Sequence, residues 1–148
     1  MNYSFIQVDN AELPFADNWF DIIISVKVLS YIPTAKLRNR HLNELYRILK
    51  QGGTCILIQN IVPDLYITDA RDEYFESSQA SRFAILERGD TFPLGLGYVH
   101  WFTDSELLSE TERCHFTIEY YRSDEEHGGE GFMRVMKLTK PARQKESE

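Results

Sequence analysis

Few residues in this sequence stand where their side chains could do chemistry, and most of those have an ordinary structural use. His100-Trp101 places a histidine in an aromatic run, as a base or substrate contact or as a packed ring, and packing is the commoner outcome beside aromatics. The run His127-Gly128-Gly129-Glu130-Gly131 offers backbone amides that could cradle an anion, although a flexible connection between strands is the commoner use. Gly95-Leu96-Gly97 has the look of a dinucleotide glycine motif, but no strand leads into it and no helix opens at it, so that reading is discarded. The 4 histidines and 23 acidic residues show no compact metal-ligand spacing, and no metal is expected. Asp9 and Asn10 can bind a ligand edge or simply cap a turn at Ala11. Ser25, Val26 and Lys27 end an apolar run, and Tyr31 follows closely. No residue presents itself as a catalytic nucleophile or base.

The elements that must position these residues are legible. Phe20–Val26 is a run rich in β-branched residues without alternation, which predicts a strand buried on both faces, as in a parallel α/β sheet. Pro33-Thr34 opens a helix with Thr34 as its N-cap. Leu42, Leu45 and Leu49 recur at helical spacing, Lys50 falls in the last turn, and Gly52-Gly53 stops the helix. Thr54–Gln59 is a second buried strand, so strand, helix and strand form a right-handed βαβ unit. Residues 63–100 are irregular, with acids, aromatics, a short apolar run at Phe83–Leu86 and breakers at Gly89, Pro93, Gly95 and Gly97. This stretch reads as an insertion lying over the sheet edge. Thr103-Asp104-Ser105-Glu106 is a capping box in which hydroxyl and carboxylate satisfy first-turn amides reciprocally. Cys114–Tyr121 and Phe132–Leu138 form an antiparallel strand pair, and the tail from Lys140 is charged.

Three pieces in order carry a resemblance: Val8-Asp9-Asn10-Ala11-Glu12-Leu13-Pro14-Phe15; Trp19–Ser25 continuing to Val28-Leu29-Ser30-Tyr31-Ile32; and Glu44–Gly53, with Arg47-Ile48-Leu49-Lys50-Gln51-Gly52-Gly53 at its end. Together they resemble the class I S-adenosylmethionine (SAM) methyltransferases of small-molecule type, the methyltransferase type 11-like group, densely over residues 8–58. A weaker echo continues through Glu87, Thr91-Phe92, His100-Trp101-Phe102-Thr103 and Glu106-Leu107. The resemblance implies a Rossmann-like α/β fold with a mixed sheet closed by the C-terminal antiparallel pair. It implies SAM as cofactor, with Asp9 accepting from the adenine amine, Asn10 giving a backbone amide and Leu13 forming an apolar wall. Ser25, Val26 and Lys27 would face the methionine or ribose side, since ligands in open α/β sheets sit outside the carboxyl ends of strands. Tyr31, His100 and Trp101 are the candidate acceptor-side residues.

The glycine-rich turn of that family, which brings backbone close to the cofactor, has no counterpart in the sequence. The expectation is a partial, truncated methyltransferase domain over 1–139, with 63–100 covering the substrate and 140–148 as tail. Such a C-terminal half would not bind SAM alone. Its first strand, normally central, becomes an edge. Homo-oligomerisation, or the missing N-terminal half, is then expected to cover it. The alternative is a non-catalytic, methyltransferase-like interaction or oligomerisation module. A net charge of -7 disfavours a nucleic-acid partner. No apolar run approaches the ~20 residues that span a bilayer, no signal peptide is evident, and Cys55 and Cys114 read as buried thiols, so a cytoplasmic location is expected.

Overall fold

A computed structural model of the chain describes residues 3–8, 12–67, 87–93 and 97–142. Strand β1 (Phe20–Val26) leads through a short 3-10 turn at Leu29–Tyr31 into helix α1 (Ala35–Ile48), and strand β2 (Leu49–Asn60) returns parallel to β1. A short hairpin, β3 (Asp90–Thr91) with β4 (Val99–His100), precedes helix α2 (Asp104–Glu112). Strands β5 (Thr117–Ser123) and β6 (Met133–Thr139) close the chain as an antiparallel pair. The main sheet runs β1-β2-β6-β5, with β1 and β2 parallel and the remaining pairs antiparallel. This is the mixed α/β sheet with a closing antiparallel pair that the sequence predicts.

Helix α1 begins where Thr34 caps it: the Thr34 Oγ1 accepts from the Leu37 amide at 3.3 Å. Leu42 and Leu45 point inward to one core with Leu29, Leu49, Cys55, Leu57, Phe102, Leu107, Met136 and Leu138. Both helices contribute to that single core, so they pack on one face of the sheet. Cys55 and Cys114 are free and buried, and burial pushes their thiols up to about 12 and about 11.

Three expectations need correction. The helix does not run to Gly52: it ends at Ile48, Leu49 is already extended, and Lys50 and both glycines lie within β2. Between Phe20 and Ile22 the register slips, and the extra β2 residues bulge outward there. Gly53 is required because a β-carbon would lie 2.8 Å from the Lys50 carbonyl oxygen and 3.0 Å from that of Asp21. Lys50 reaches across this bulge to the Asp21 carboxylate at 2.8 Å.

Nor is the first strand covered on both faces. Ser25 is buried toward the helices, whereas Ile22, Ile24 and Val26 are 65%, 68% and 49% exposed. No helix among the described residues covers that second face. The capping box is half formed: Thr103 accepts from the Glu106 amide at 3.3 Å, but the Glu106 carboxylate turns to His100 instead of back to the cap. A buried imidazole is the stronger claimant on a carboxylate. Beyond β2 the chain packs at that strand's carboxyl end, where Ile61 bridges to Phe102 and the Val62 amide donates to the Phe102 carbonyl at 2.8 Å. The Phe83–Leu86 run lies outside the described residues.

Candidate functional site

The carboxyl ends of β1 and β2 are where an open α/β sheet receives a ligand. Here β1 stops at Val26, and Lys27 takes a left-handed φ of 58° while its amide donates to the Ile58 carbonyl at 2.7 Å. That turn throws the chain into Leu29–Tyr31. Leu29 and Ser30 point into the protein, and Tyr31 points out, 64% exposed. Ser30 accepts from the Gln59 side-chain amide, which ties the turn to the end of β2. The Gln59 Oε1 is buried with no hydrogen-bond partner among the described residues. The 3-10 turn also packs against β4, so residues 97–103 form the neighbouring wall.

Behind this mouth lies a buried polar network that sequence reasoning missed. Arg38, fully buried on α1, donates through Nη2 and Nε to Glu110 of α2 at 2.6 and 3.0 Å, and through Nη2 to Glu87 at 3.2 Å. Its guanidinium also sits 5.2 Å from the centre of the Phe102 ring. Burial works against the charge, but the Glu110 bonds outweigh it and hold the guanidinium more firmly protonated than usual. Glu87 also receives the Ala35 amide at 2.9 Å, filling a free donor at the start of α1. His100 stands between Asp90 (Nδ1 to Oδ1, 2.7 Å) and Glu106 (Nε2 to Oε1, 3.0 Å). Asp90 further accepts from the Tyr98 hydroxyl at 2.7 Å and the Glu87 amide at 2.8 Å. Desolvation pulls His100 toward neutrality, yet the two carboxylates dominate and raise its pKa above the ordinary imidazole value. A helical stripe shows Arg38 only as a residue near the apolar face; its partners lie 49 to 72 positions away, beyond any local pattern.

The candidate residues are thus distributed as follows. Ser25, Val26, Lys27 and Tyr31 come together at the β1 end, Ser25 buried and the other three exposed. Leu13 packs against the core, with its amide donating to Glu44 at 2.9 Å and its carbonyl accepting from Arg47 at 3.0 Å. His100 is fully buried with both ring nitrogens engaged, and the half-buried Trp101 donates from Nε1 to Thr91 Oγ1 at 2.9 Å. Asp9 and Asn10 lie outside the described residues. At the His127–Gly131 run the Asp124 carboxylate accepts from the Gly131 and Met133 amides at 3.1 and 3.2 Å. Among the described residues no group of three or more His, Cys, Asp or Glu side chains could hold a metal, and no helix is long and apolar enough to cross a membrane.

A parallel β–α–β unit continued by an antiparallel pair, opening at its strand ends, is a plan shared with class I SAM-dependent methyltransferases. The comparisons agree. Residues 2–57 match the family model of a methyltransferase domain. A SAM-dependent methyltransferase of known structure from Methanosarcina mazei is 25% identical, with a TM-score of 0.65, the match covering 93% of this chain and 67% of that one. A probable tRNA methyltransferase 9B from Homo sapiens is 41% identical over 49 residues, 33% of this chain and 11% of the relative. A ubiquinone/menaquinone biosynthesis C-methyltransferase from Psychromonas ingrahamii is 34% identical over 62 residues, 42% of this chain and 24% of the relative. The chain spans about a third or less of the length of these curated relatives. It shares the fold of the class I SAM-dependent methyltransferases, whose cofactor is SAM.

The described residues fit that cofactor in part. An exposed Val26, Lys27 and Tyr31 at the strand ends can line a ligand, but none of the described glycines stands there to let backbone close around it.

Proposed function

We propose that the chain is the adenine-side and acceptor-side portion of a SAM-dependent methyltransferase acting on a small-molecule acceptor. A glycine-rich half, from further sequence of the same protein or from another chain, completes it. The observation that carries this reading is the coincidence of the family match with the β1–α1–β2 unit, whose strand ends open beside the wall formed by residues 97–103. Asp9 and Asn10 hold the adenine edge, Leu13 backs it, and Ser25, Val26 and Lys27 line the ribose or methionine side. SAM supplies an electrophilic methyl group on a sulfonium. What the protein adds is position and exclusion of water. Tyr31 reaches toward the acceptor from the mouth of the site, Trp101 supports the opposite wall, and His100 stands behind it. With both nitrogens hydrogen-bonded to carboxylates, His100 is not placed as a base. The net charge of -7 favours a small acceptor over a nucleic acid, and we place the protein in the cytoplasm.

The test is a chimaera in which the glycine-rich half of a methyltransferase domain is joined ahead of Phe5. It should bind S-adenosylhomocysteine in a calorimetric titration, whereas the chain alone should give no heat at millimolar ligand. A folded chimaera that binds nothing would refute the proposal.

A second reading has its own observation, the open β1 edge with its exposed isoleucines. On that reading the chain is an interaction module, and it associates through the edge without any cofactor. Binding of S-adenosylhomocysteine by the chimaera separates the two.

A further inference from the structure

The hairpin β3–β4 has two residues in each strand, far too few to hold itself together. What fastens it is side-chain chemistry. His100 is central: its ring is fully buried, packs edge-on against Phe102 with centroids 4.6 Å apart, and meets a carboxylate at each nitrogen. A neutral imidazole has one N–H and one lone pair, so it satisfies one ionised carboxylate and repels the other. An imidazolium donates to both. Asp90 on β3 is itself tied to Tyr98 and to the Glu87 amide, and Glu106 belongs to α2.

We propose that His100, as an imidazolium, is a positioning residue that clasps strands β3 and β4 to α2, and that losing its proton loosens this wall of the site. The name acceptor-side for that wall rests on the function proposed above; the clasp does not. The groups acting on the ring are Asp90 from the hairpin, Glu106 from α2 and Arg38 from α1; behind them, Tyr98 bonds Asp90, and Glu110 and Glu87 pair with Arg38. Arg38 disfavours the second cation, and its own carboxylates Glu110 and Glu87 offset that opposition.

The sign follows from the raised value. A histidine with its folded pKa above the unfolded one contributes fully below about pH 6.5, and the contribution fades as pH rises through the folded value. Asp90 is held below the ordinary carboxylate range; burial opposes this, but His100, the Glu87 amide and Tyr98 prevail, so its share is lost only in acid. His41 runs the other way: desolvation lowers its pKa, and its share is lost as pH falls. A local readout is therefore needed.

Long-range proton–nitrogen NMR of the intact chain should show both His100 ring nitrogens protonated at pH 6.5, with a midpoint above that of free imidazole. Hydrogen exchange of residues 97–103, corrected for its intrinsic pH dependence, should accelerate between pH 6 and pH 9 by about tenfold for each unit of that elevation. Glu106→Gln keeps a hydrogen-bond acceptor but removes charge, so it should lower the midpoint and flatten the exchange profile. A single neutral tautomer at pH 6.5, or protection unchanged from pH 6 to pH 9, would overturn the clasp. The wild-type spectrum decides even where a variant fails to fold. Cofactor binding by the chimaera can fail without touching this result.

Discussion

Arg38→Met isolates the buried network. The guanidinium is wholly removed from water and donates to Glu110 at 2.6, 3.0 and 3.1 Å, while Glu110 is itself 4% exposed at the side chain. Methionine matches the stem and keeps contact with Phe102, so the packing loss is small. What changes is that Glu110 becomes a buried carboxylate without its cation, and Glu87 loses one of its two partners. Breaking a buried pair by removing one member costs about 3–5 kcal/mol. For a chain of this size that is a fall in Tm of roughly 6–20 °C. Urea denaturation of the single variants Arg38→Met and Glu110→Leu and of the double variant closes the cycle. The double variant should recover most of the loss, since two apolar residues replace a desolvated pair. If Arg38→Met costs under ~1 kcal/mol, the distances describe an ion pair without energetic weight. If the double variant is as unstable as the sum of the singles, the partnership with Glu110 is wrong.

Three further predictions concern other parts of the molecule. In the chimaera, Asp9→Ala should weaken S-adenosylhomocysteine binding by about 0.5–1.5 kcal/mol, the net value of a hydrogen bond to a neutral amine; unchanged affinity by calorimetry would return Asp9 to turn capping. Gly53→Ala should destabilise by on the order of 1–3 kcal/mol in urea, because its β-carbon would meet two backbone carbonyls at 2.8 and 3.0 Å. Sedimentation velocity should show concentration-dependent association of the chain that Ile24→Lys abolishes; a species monomeric at all concentrations would leave the β1 edge without a partner.

The βαβ unit was legible because its signals are local. Thr34 announces a cap, Leu42 and Leu45 a buried stripe, and the isoleucines of β1 a strand. The end of α1 is misread because Gly52-Gly53 looks like a helix stop, while within β2 Gly52 takes a left-handed φ of 75° and Gly53 answers to a close approach by β1 that only the folded sheet reveals. The same holds for Glu106. Its position three after Thr103 predicts a reciprocal cap, and a histidine brought near by the hairpin takes its carboxylate instead. Arg38, Glu87, Asp90 and Glu110 carry no sequence signal as a group, since their association spans up to 72 positions.

Strand β1 turns apolar residues to solvent, unlike an edge strand of a self-contained sheet, while Ile23 packs inward. A strand with one solvated face turns polar residues outward and apolar ones inward. Here Ser25 is buried against the helices while Ile22, Ile24 and Val26 look outward, and their register partners on β2, Thr54, Ile56 and Ile58, share that half-covered face. Hydrogen bonding alone does not require this, because water can hydrate an open edge. The apolar side chains are what call for cover, and at ~25 cal/mol per Å2 even a few hundred Å2 of such surface amounts to several kcal/mol. The residue pattern thus suits a face that is packed upon, as the proposed completion by a further βα half requires. A structure of the completed assembly should therefore bury Ile22, Ile24 and Val26 and leave Ser25 where it is.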